Sequence, residues 1–70
     1  MDSIQISIGC DGDWVANGNW DGATLTADVA EPVRAALQAA LIAAGIDTYT
    51  AGSSSATVDG ELWTAYVNME

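Results

Sequence analysis

Polar and β-branched residues alternate strictly along the first part of the chain, from Ser3 to Ile8. The isoleucines of this run share one face of an extended chain, so the pattern predicts a half-buried β-strand. Three turn-forming pairs follow it, namely Asp11-Gly12, Asn17-Gly18 and Asp21-Gly22. Either of the first two pairs supplies the positive φ angles of a tight hairpin, and we expect a second strand somewhere within residues 13–27.

The middle of the chain has the periodicity of an amphipathic helix. Large apolar residues recur every four positions, at Val33, Leu37 and Leu41. Asp28 can cap the first turn, with Glu31 three residues later, and Gly45 is the glycine that commonly follows a last turn. We therefore predict a helix over residues 28–44. Pro32 belongs near a helix start, which leaves that boundary open by several residues.

The last third of the chain predicts two more strands. Threonine and tyrosine favour a strand over residues 46–51, whereas residues 52–55 are typical of a loop. Residues 58–61 predict a two-residue hairpin around Asp59-Gly60, and residues 62–69 predict the final strand. On that strand one face carries Trp63, Ala65, Val67 and Met69, and the other carries Leu62, Thr64, Tyr66 and Asn68.

These elements predict an α+β fold in a single domain over residues 1–70. In the order ββαββ, four strands form an antiparallel sheet, and the helix packs on one face of it. The expected core consists of Ile4, Ile6, Ile8, Val33, Leu37, Leu41, Trp63 and Val67. A core this small is marginal, so association with a partner would add stability.

Charge is the feature that most limits the range of possible functions. The chain carries ten acidic residues against one basic residue, Arg34, with no histidine, for a net charge of −9. Such a chain lacks the positive surface that nucleic acids and anionic membranes bind, and it favours a basic protein partner or a salty solvent. We therefore expect no direct nucleic-acid contact and no membrane association.

Histidine and lysine, which act as bases or activate nucleophiles in many catalytic sites, are both missing. No histidine or lysine is present to act as a base or to activate Cys10, so we predict that the protein is not an enzyme. The acids and amides of residues 11–21 are spaced somewhat like a calcium loop. However, Val15, Ala16 and Gly22 occupy positions where that loop needs a ligand, a glycine and a glutamate. We predict no metal and no cofactor.

The uncharged stretch at residues 35–46 supports two expectations. It is well short of the about 20 apolar residues that cross a bilayer, and no basic segment precedes an apolar run at the start of the chain, so we expect a cytoplasmic protein. Only Gln38 is polar in this stretch, whereas a helix on a sheet normally presents charge to solvent. Either the surface is simply uncharged, or a homodimer forms through the 35–46 helix face.

The candidate partner-binding residues are the acids of the predicted turns and the tryptophans beside them. They are Asp11, Asp13, Trp14, Trp20, Asp21, Asp59 and Glu61. Turns hold carboxylates clear of a packed core, and tryptophan is enriched among residues that dominate binding energy. Trp14 and Trp20 can equally fill a core that has no phenylalanine, whereas Trp63 has the inward parity of its strand and is expected in the core.

In size, acidity and lack of catalytic residues, the chain resembles small acidic inhibitors of phages and other mobile elements, the anti-CRISPR and anti-restriction proteins. The resemblance covers the whole chain but includes no motif, so it assigns no residue. It implies a DNA mimic that binds a basic nucleic-acid-binding protein or nuclease complex in the host cytoplasm and blocks DNA or RNA access. Two alternatives fit the composition: a structural or assembly homo-oligomer whose acidity serves solubility, and a protein of a salt-loving organism.

Overall fold

The computed structural model describes residues 3–67, which form five β-strands and one α-helix. In chain order the elements are β1 (Ile4–Cys10), β2 (Asp13–Trp20), β3 (Leu25–Ala27), α1 (Glu31–Ala43), β4 (Gly52–Val58) and β5 (Glu61–Val67). The strands form one antiparallel sheet in the spatial order β3-β2-β1-β5-β4. The α+β class with one helix and an antiparallel sheet is confirmed, whereas the four-stranded ββαββ order is wrong. The predicted end of the last strand, residues 68–69, lies outside the described residues.

The first hairpin closes at Asp11-Gly12, where both residues have positive φ (50° and 90°). The alternative pair, Asn17-Gly18, lies inside β2. A Cβ on Gly18 would stand only 2.7 Å from the carbonyl oxygen of Thr26, so the missing side chain lets β3 come close to β2. Gly18 therefore serves strand packing and not a turn.

The extra strand, β3, follows a turn that is organised by Asp21. The Asp21 carboxylate accepts hydrogen bonds from the backbone N–H groups of Thr24 (2.7 Å) and Ala23 (2.8 Å). These hydrogen bonds lower the pKa of Asp21. Because only the ionised carboxylate has this full acceptor capacity, the turn is stabilised above the ordinary aspartate pKa and loses that stabilisation as pH falls through the lowered pKa.

The helix begins at Glu31 and not at the predicted Asp28. The preceding residue, Ala30, has extended backbone angles and provides no side-chain cap. Pro32 explains the shift, because in a helix starting after Asp28 its ring would clash with the carbonyl four residues earlier and its missing N–H would leave that carbonyl unpaired. In the observed first turn the missing N–H has no consequence.

Gly45 ends the helix, as predicted from the sequence. Its φ is +72°, its N–H donates to the carbonyl oxygen of Ile42 (3.0 Å), and the N–H of Ile46 donates to the carbonyl oxygen of Leu41 (3.1 Å). This pair of hydrogen bonds forms a Schellman motif, which satisfies carbonyls that the helix leaves unpaired. It also directs the chain so that the Ile46 side chain is buried.

The core lies between α1 and the face of the sheet that the helix covers. Its buried residues are Ile6, Ile8, Trp20, Leu25, Val33, Leu37, Leu41, Ile46, Ala65 and Val67. The predicted core is confirmed except for Ile4 and Trp63, which are partly buried and pack against it. The core also contains four residues that the predicted core did not include: Trp20, Leu25, Ile46 and Ala65.

Between α1 and β5, the structure has a turn where a strand was predicted and a strand where a loop was predicted. Residues 46–51 do not form a strand, because the Asp47 carboxylate accepts hydrogen bonds from the Thr50 hydroxyl (2.7 Å) and from the N–H groups of Thr50 (2.8 Å) and Tyr49 (2.9 Å). These hydrogen bonds hold a turn and lower the pKa of Asp47. Residues 52–55, predicted as a loop, instead pair with β5 as the first half of β4.

Leu37→Ala is expected to lower the free energy of unfolding by about 2–5 kcal/mol, since the side chain is fully buried and its loss leaves a cavity. Urea denaturation followed by tryptophan fluorescence measures the change. Ile42→Ala on the same helix is the matched control, because Ile42 is 53% exposed and should cost much less. Equal losses in the two variants would contradict the assigned helix orientation.

Candidate partner-binding surface

Two hairpin turns meet at one end of the sheet. β1 and β5 are antiparallel neighbours in which Cys10 pairs with Trp63, so the turn after β1 and the turn before β5 lie side by side. The Asp11 N–H donates to the Leu62 carbonyl oxygen (2.8 Å), and the Leu62 N–H donates to Asp11 Oδ1 (3.2 Å). These hydrogen bonds join residues that are 51 positions apart in the chain.

We call this end of the sheet the acidic edge, defined by four exposed acids: Asp11, Asp13, Asp59 and Glu61. Both turn aspartates have positive φ (50° and 53°), which a short polar side chain followed by glycine tolerates. The chain's one basic side chain is engaged elsewhere, since Arg34 pairs with Glu31 (2.6 Å) and donates to the carbonyl oxygen of Leu25 in β3 (2.9 Å). The acidic edge therefore has no side-chain base to offset its charge.

Asp21, the remaining acid of the predicted set, is not part of the acidic edge. Asp13 begins the eight-residue strand β2, and Asp21 follows directly after its other end. At about 3.3 Å per residue, the eight steps from Asp13 to Asp21 separate the two aspartates by roughly 26 Å. The same separation keeps the oxygens of residues 11–21 from converging on one calcium ion.

Trp20 does not belong to the binding surface either, which corrects the prediction. Its pairing with Ile4 and Leu25 places its side chain on the helix-covered face, where none of it is exposed. The indole N–H donates to the carbonyl oxygen of Ile46 (3.2 Å), so its polar atom is satisfied inside the core. Trp20 connects the segment after α1 to the sheet and stabilises the fold.

Trp14, by contrast, is 66% exposed on the face of the sheet that α1 does not cover, called here the open face. Its indole N–H donates to Asn17 Oδ1 (3.2 Å). A groove of about 210 Å³ lies beside it over Gly9, and Tyr66 and Asp13 also line this groove. A Cβ on Gly9 would stand 3.0 Å from the Asp13 carbonyl oxygen and 3.7 Å from Tyr66 Cε2, so glycine keeps the groove open. Asp13 belongs to both features, which makes the groove and the acidic edge continuous.

Tyr66 also lines this groove, although it was not among the predicted partner-binding residues. Strand parity had already placed it on the face opposite Trp63, and the structure confirms that the two side chains lie on opposite faces of β5. The missing information was that Gly9 and Trp14 lie on the same open face, which depends on the register between β1 and β2.

Cys10 lies beside the acidic edge as a hydrogen-bonded thiol. Its Sγ donates to Glu61 Oε2 (3.4 Å) and lies 3.9 Å from Asp11 Oδ2. Partial burial, together with the hydrogen bond and charge of Glu61, raises the pKa of Cys10 to about 11. Because the thiolate is the reactive and metal-binding form, a thiol that stays protonated at neutral pH is a poor nucleophile and a poor ligand. The group is therefore suited to packing and hydrogen bonding, not to catalysis.

No protein-family model matches the chain, and no curated protein or solved structure shows significant similarity to it. Within residues 3–67, no helix combines the length and the apolar character that a membrane crossing requires. The function is therefore inferred from the acidic edge and from the groove beside it.

Glu61→Gln is expected to make the Cys10 thiol more reactive. The substitution removes a negative charge next to the sulfur, which lowers the thiol pKa and raises the thiolate fraction in mildly alkaline buffer. A pKa lowered by one unit would increase the rate of alkylation by iodoacetamide by about tenfold. Asp59→Asn is the control, because it removes the same charge from the acidic edge without a hydrogen bond to the sulfur. Equal acceleration in both variants would argue against the assigned contact.

Proposed function

We propose that this protein is a non-enzymatic inhibitor that binds the basic nucleic-acid-binding surface of a CRISPR-Cas or restriction-type complex and blocks access of DNA or RNA. One observation carries this proposal. Turns from distant parts of the chain bring Asp11, Asp13, Asp59 and Glu61 to one end of the sheet, without a basic side chain to offset them. Such a partner works in the cytoplasm, where we also place this protein.

The acidic edge supplies long-range attraction. A nucleic-acid-binding groove is lined with lysine and arginine, which neutralise phosphates that occur about every 1.7 Å along a duplex. Exposed carboxylates present the same sign of charge to that groove, and the net charge of −9 extends the attraction beyond direct contact. Because these charges are exposed, they should act mainly on the association rate, and their effect should weaken as salt is raised.

The groove between Trp14 and Tyr66 supplies short-range binding energy. An arginine or lysine side chain of the partner can lie against an exposed aromatic face, where the ring attracts the cation. Asp13 in the wall of the same groove offers a carboxylate to that cation. Aromatic residues of this kind often dominate an interface whose surrounding contacts contribute little. The surface thus combines steering and anchoring in one place.

We further propose that inhibition works by occupancy and not by chemistry. The chain has neither histidine nor lysine to act as a base, and its one thiol is held protonated by partial burial and by Glu61. The acidic edge and the groove are surface features that can cover a partner's binding site without any covalent step.

Asp13→Asn combined with Asp59→Asn is expected to slow association with the partner about three- to tenfold at low salt, because two charges leave the acidic edge. Asparagine preserves side-chain shape, and Asn-Gly suits the turn at residue 59. Asp11 is left unchanged because its carboxylate accepts the Leu62 N–H. The assay follows displacement of labelled nucleic acid from purified CRISPR-Cas and restriction nucleases at low and high salt.

The matched control for these variants is Asp21→Asn combined with Asp47→Asn. It removes the same amount of charge, but near the opposite end of the sheet, and asparagine keeps an acceptor oxygen for each turn. The proposal requires the first pair to weaken inhibition more than the control. Equal effects, displacement that is indifferent to salt, or no displacement from either class would mean that the acidity serves solvation.

Trp14→Ala is expected to weaken binding to the same partner by roughly tenfold, mostly through faster dissociation, because an exposed anchor is lost. Surface plasmon resonance on the inhibited nuclease separates the two rate constants. Tyr49→Ala is the control, since Tyr49 is an aromatic residue that is 87% exposed but does not line the groove. If both substitutions have the same effect, the groove is not the anchor.

A further inference from the structure

The two outermost strands of the sheet, β3 and β4, differ in how well they are protected against pairing with another chain. β3, at one edge, is three residues long, and Asp28 follows it directly, which limits pairing with another chain. β4, at the other edge, is a seven-residue strand with the sequence GSSSATV and an uninterrupted register with β5. It contains none of the charges, prolines and bulges that commonly prevent edge-to-edge pairing. β4 is therefore an open pairing edge.

The hairpin geometry determines which backbone groups β4 offers. The turn at Asp59-Gly60 has positive φ at both residues (53° and 79°), as in a type I′ turn, so Val58 and Glu61 form a hydrogen-bonded pair. Because hydrogen-bonded and non-hydrogen-bonded pairs alternate, three residues direct their N–H and C=O groups away from β5: Ser53, Ser55 and Thr57. The close approach of Ser55 Oγ and Thr64 Oγ1 (2.9 Å) agrees with a non-hydrogen-bonded pair, in which side chains are nearer.

The surface of α1 on the same side of the molecule is also uncharged. Arg34 and Gln38 lie on the helix flank that makes hydrogen bonds to Leu25 of β3. With 3.6 residues per turn, the opposite flank, called here the alanine flank, consists of Ala36, Ala39, Ala40 and Ala43. Since α1 also packs against β4, the alanine flank lies toward β4.

A second copy of this chain is the occupant that fits this edge. Two chains with a net charge of −9 repel each other, so they can associate only where acids do not face acids. β4 and the alanine flank contain no acid, whereas a basic partner is drawn to the acidic edge. An antiparallel pair of β4 strands is also self-complementary, because a twofold axis at Ser55 places Ser53 of one copy opposite Thr57 of the other.

We propose that two copies associate through β4 and join their five-stranded sheets into one continuous antiparallel sheet. The outward N–H and C=O groups of Ser53, Ser55 and Thr57 form the new ladder. The twofold axis is perpendicular to the sheet, so both α1 helices lie on the same face, with their alanine flanks toward the junction. Like charges on the two copies still repel, so this dimer tightens as salt is raised.

Analytical ultracentrifugation from micromolar to millimolar protein, at low and high salt, tests this association. We expect a monomer–dimer equilibrium that shifts toward dimer at high salt, opposite to the response of a basic partner. Ser55→Pro should weaken the dimer at least about tenfold, because an outward N–H is lost without breaking the ladder to β5. Ser55→Ala is the control, since it removes the hydroxyl and its contact with Thr64 but keeps the N–H.

Amide hydrogen exchange of the wild type identifies the surface even where Ser55→Pro fails to fold. The amides of Ser53, Ser55 and Thr57 should exchange more slowly as protein concentration rises, whereas those of Ser54 and Ala56, already bonded to β5, should not change. A wild type that stays monomeric at millimolar concentration and high salt would overturn the proposal. A dimer without slowed exchange at the three amides, or a folded Ser55→Pro variant with unchanged affinity, would overturn it as well.

Discussion

The pairing of β1 with neighbours on both of its sides is the constraint on which the rest of the structure depends. Its register with β2 sets Ile4 opposite Trp20 and Ile8 opposite Ala16, and its register with β5 sets Ile8 opposite Ala65. These pairs place the isoleucine face under α1 and bring the two aspartate-glycine turns to one end. A slip of one residue would turn every isoleucine to the open face and remove the core.

Local sequence signals predicted the parts of the fold that local chemistry decides. The alternation in β1, the helix end at Gly45 and the hairpin at Asp59-Gly60 each depend on a few neighbouring residues. Asn17-Gly18 is as good a turn locally as Asp11-Gly12, and only the close approach of Thr26 shows why its glycine lies in a strand. The exchange of strand and loop after α1 has the same origin, because the serines of β4 become a strand by pairing with β5.

The candidate surface was predictable in composition but not in arrangement. Acids on turns are exposed for local reasons, so their exposure could be expected from sequence. Which of them lie together depends on strand order, and this order unites Asp11 with Glu61 while it leaves Asp21 at the far end of β2. The tryptophans show the same limit. Trp14 and Trp20 have similar neighbours in the sequence but lie on opposite faces, because the β1–β2 register shifts between Ile8 and Gly9.

Arg34, the chain's one basic side chain, is fully used within the fold. Its guanidinium binds Glu31, Gln38 and the carbonyl oxygen of Leu25, a set of partners that needs several donors in a planar arrangement and that a lysine ammonium could not match. The chain contains no lysine either, so terminal groups aside it offers no amine to cross-linking reagents. A zero-length bond formed by carbodiimide between one of its carboxylates and a lysine always marks a different protein. Neither the same chain nor a second copy can supply that lysine.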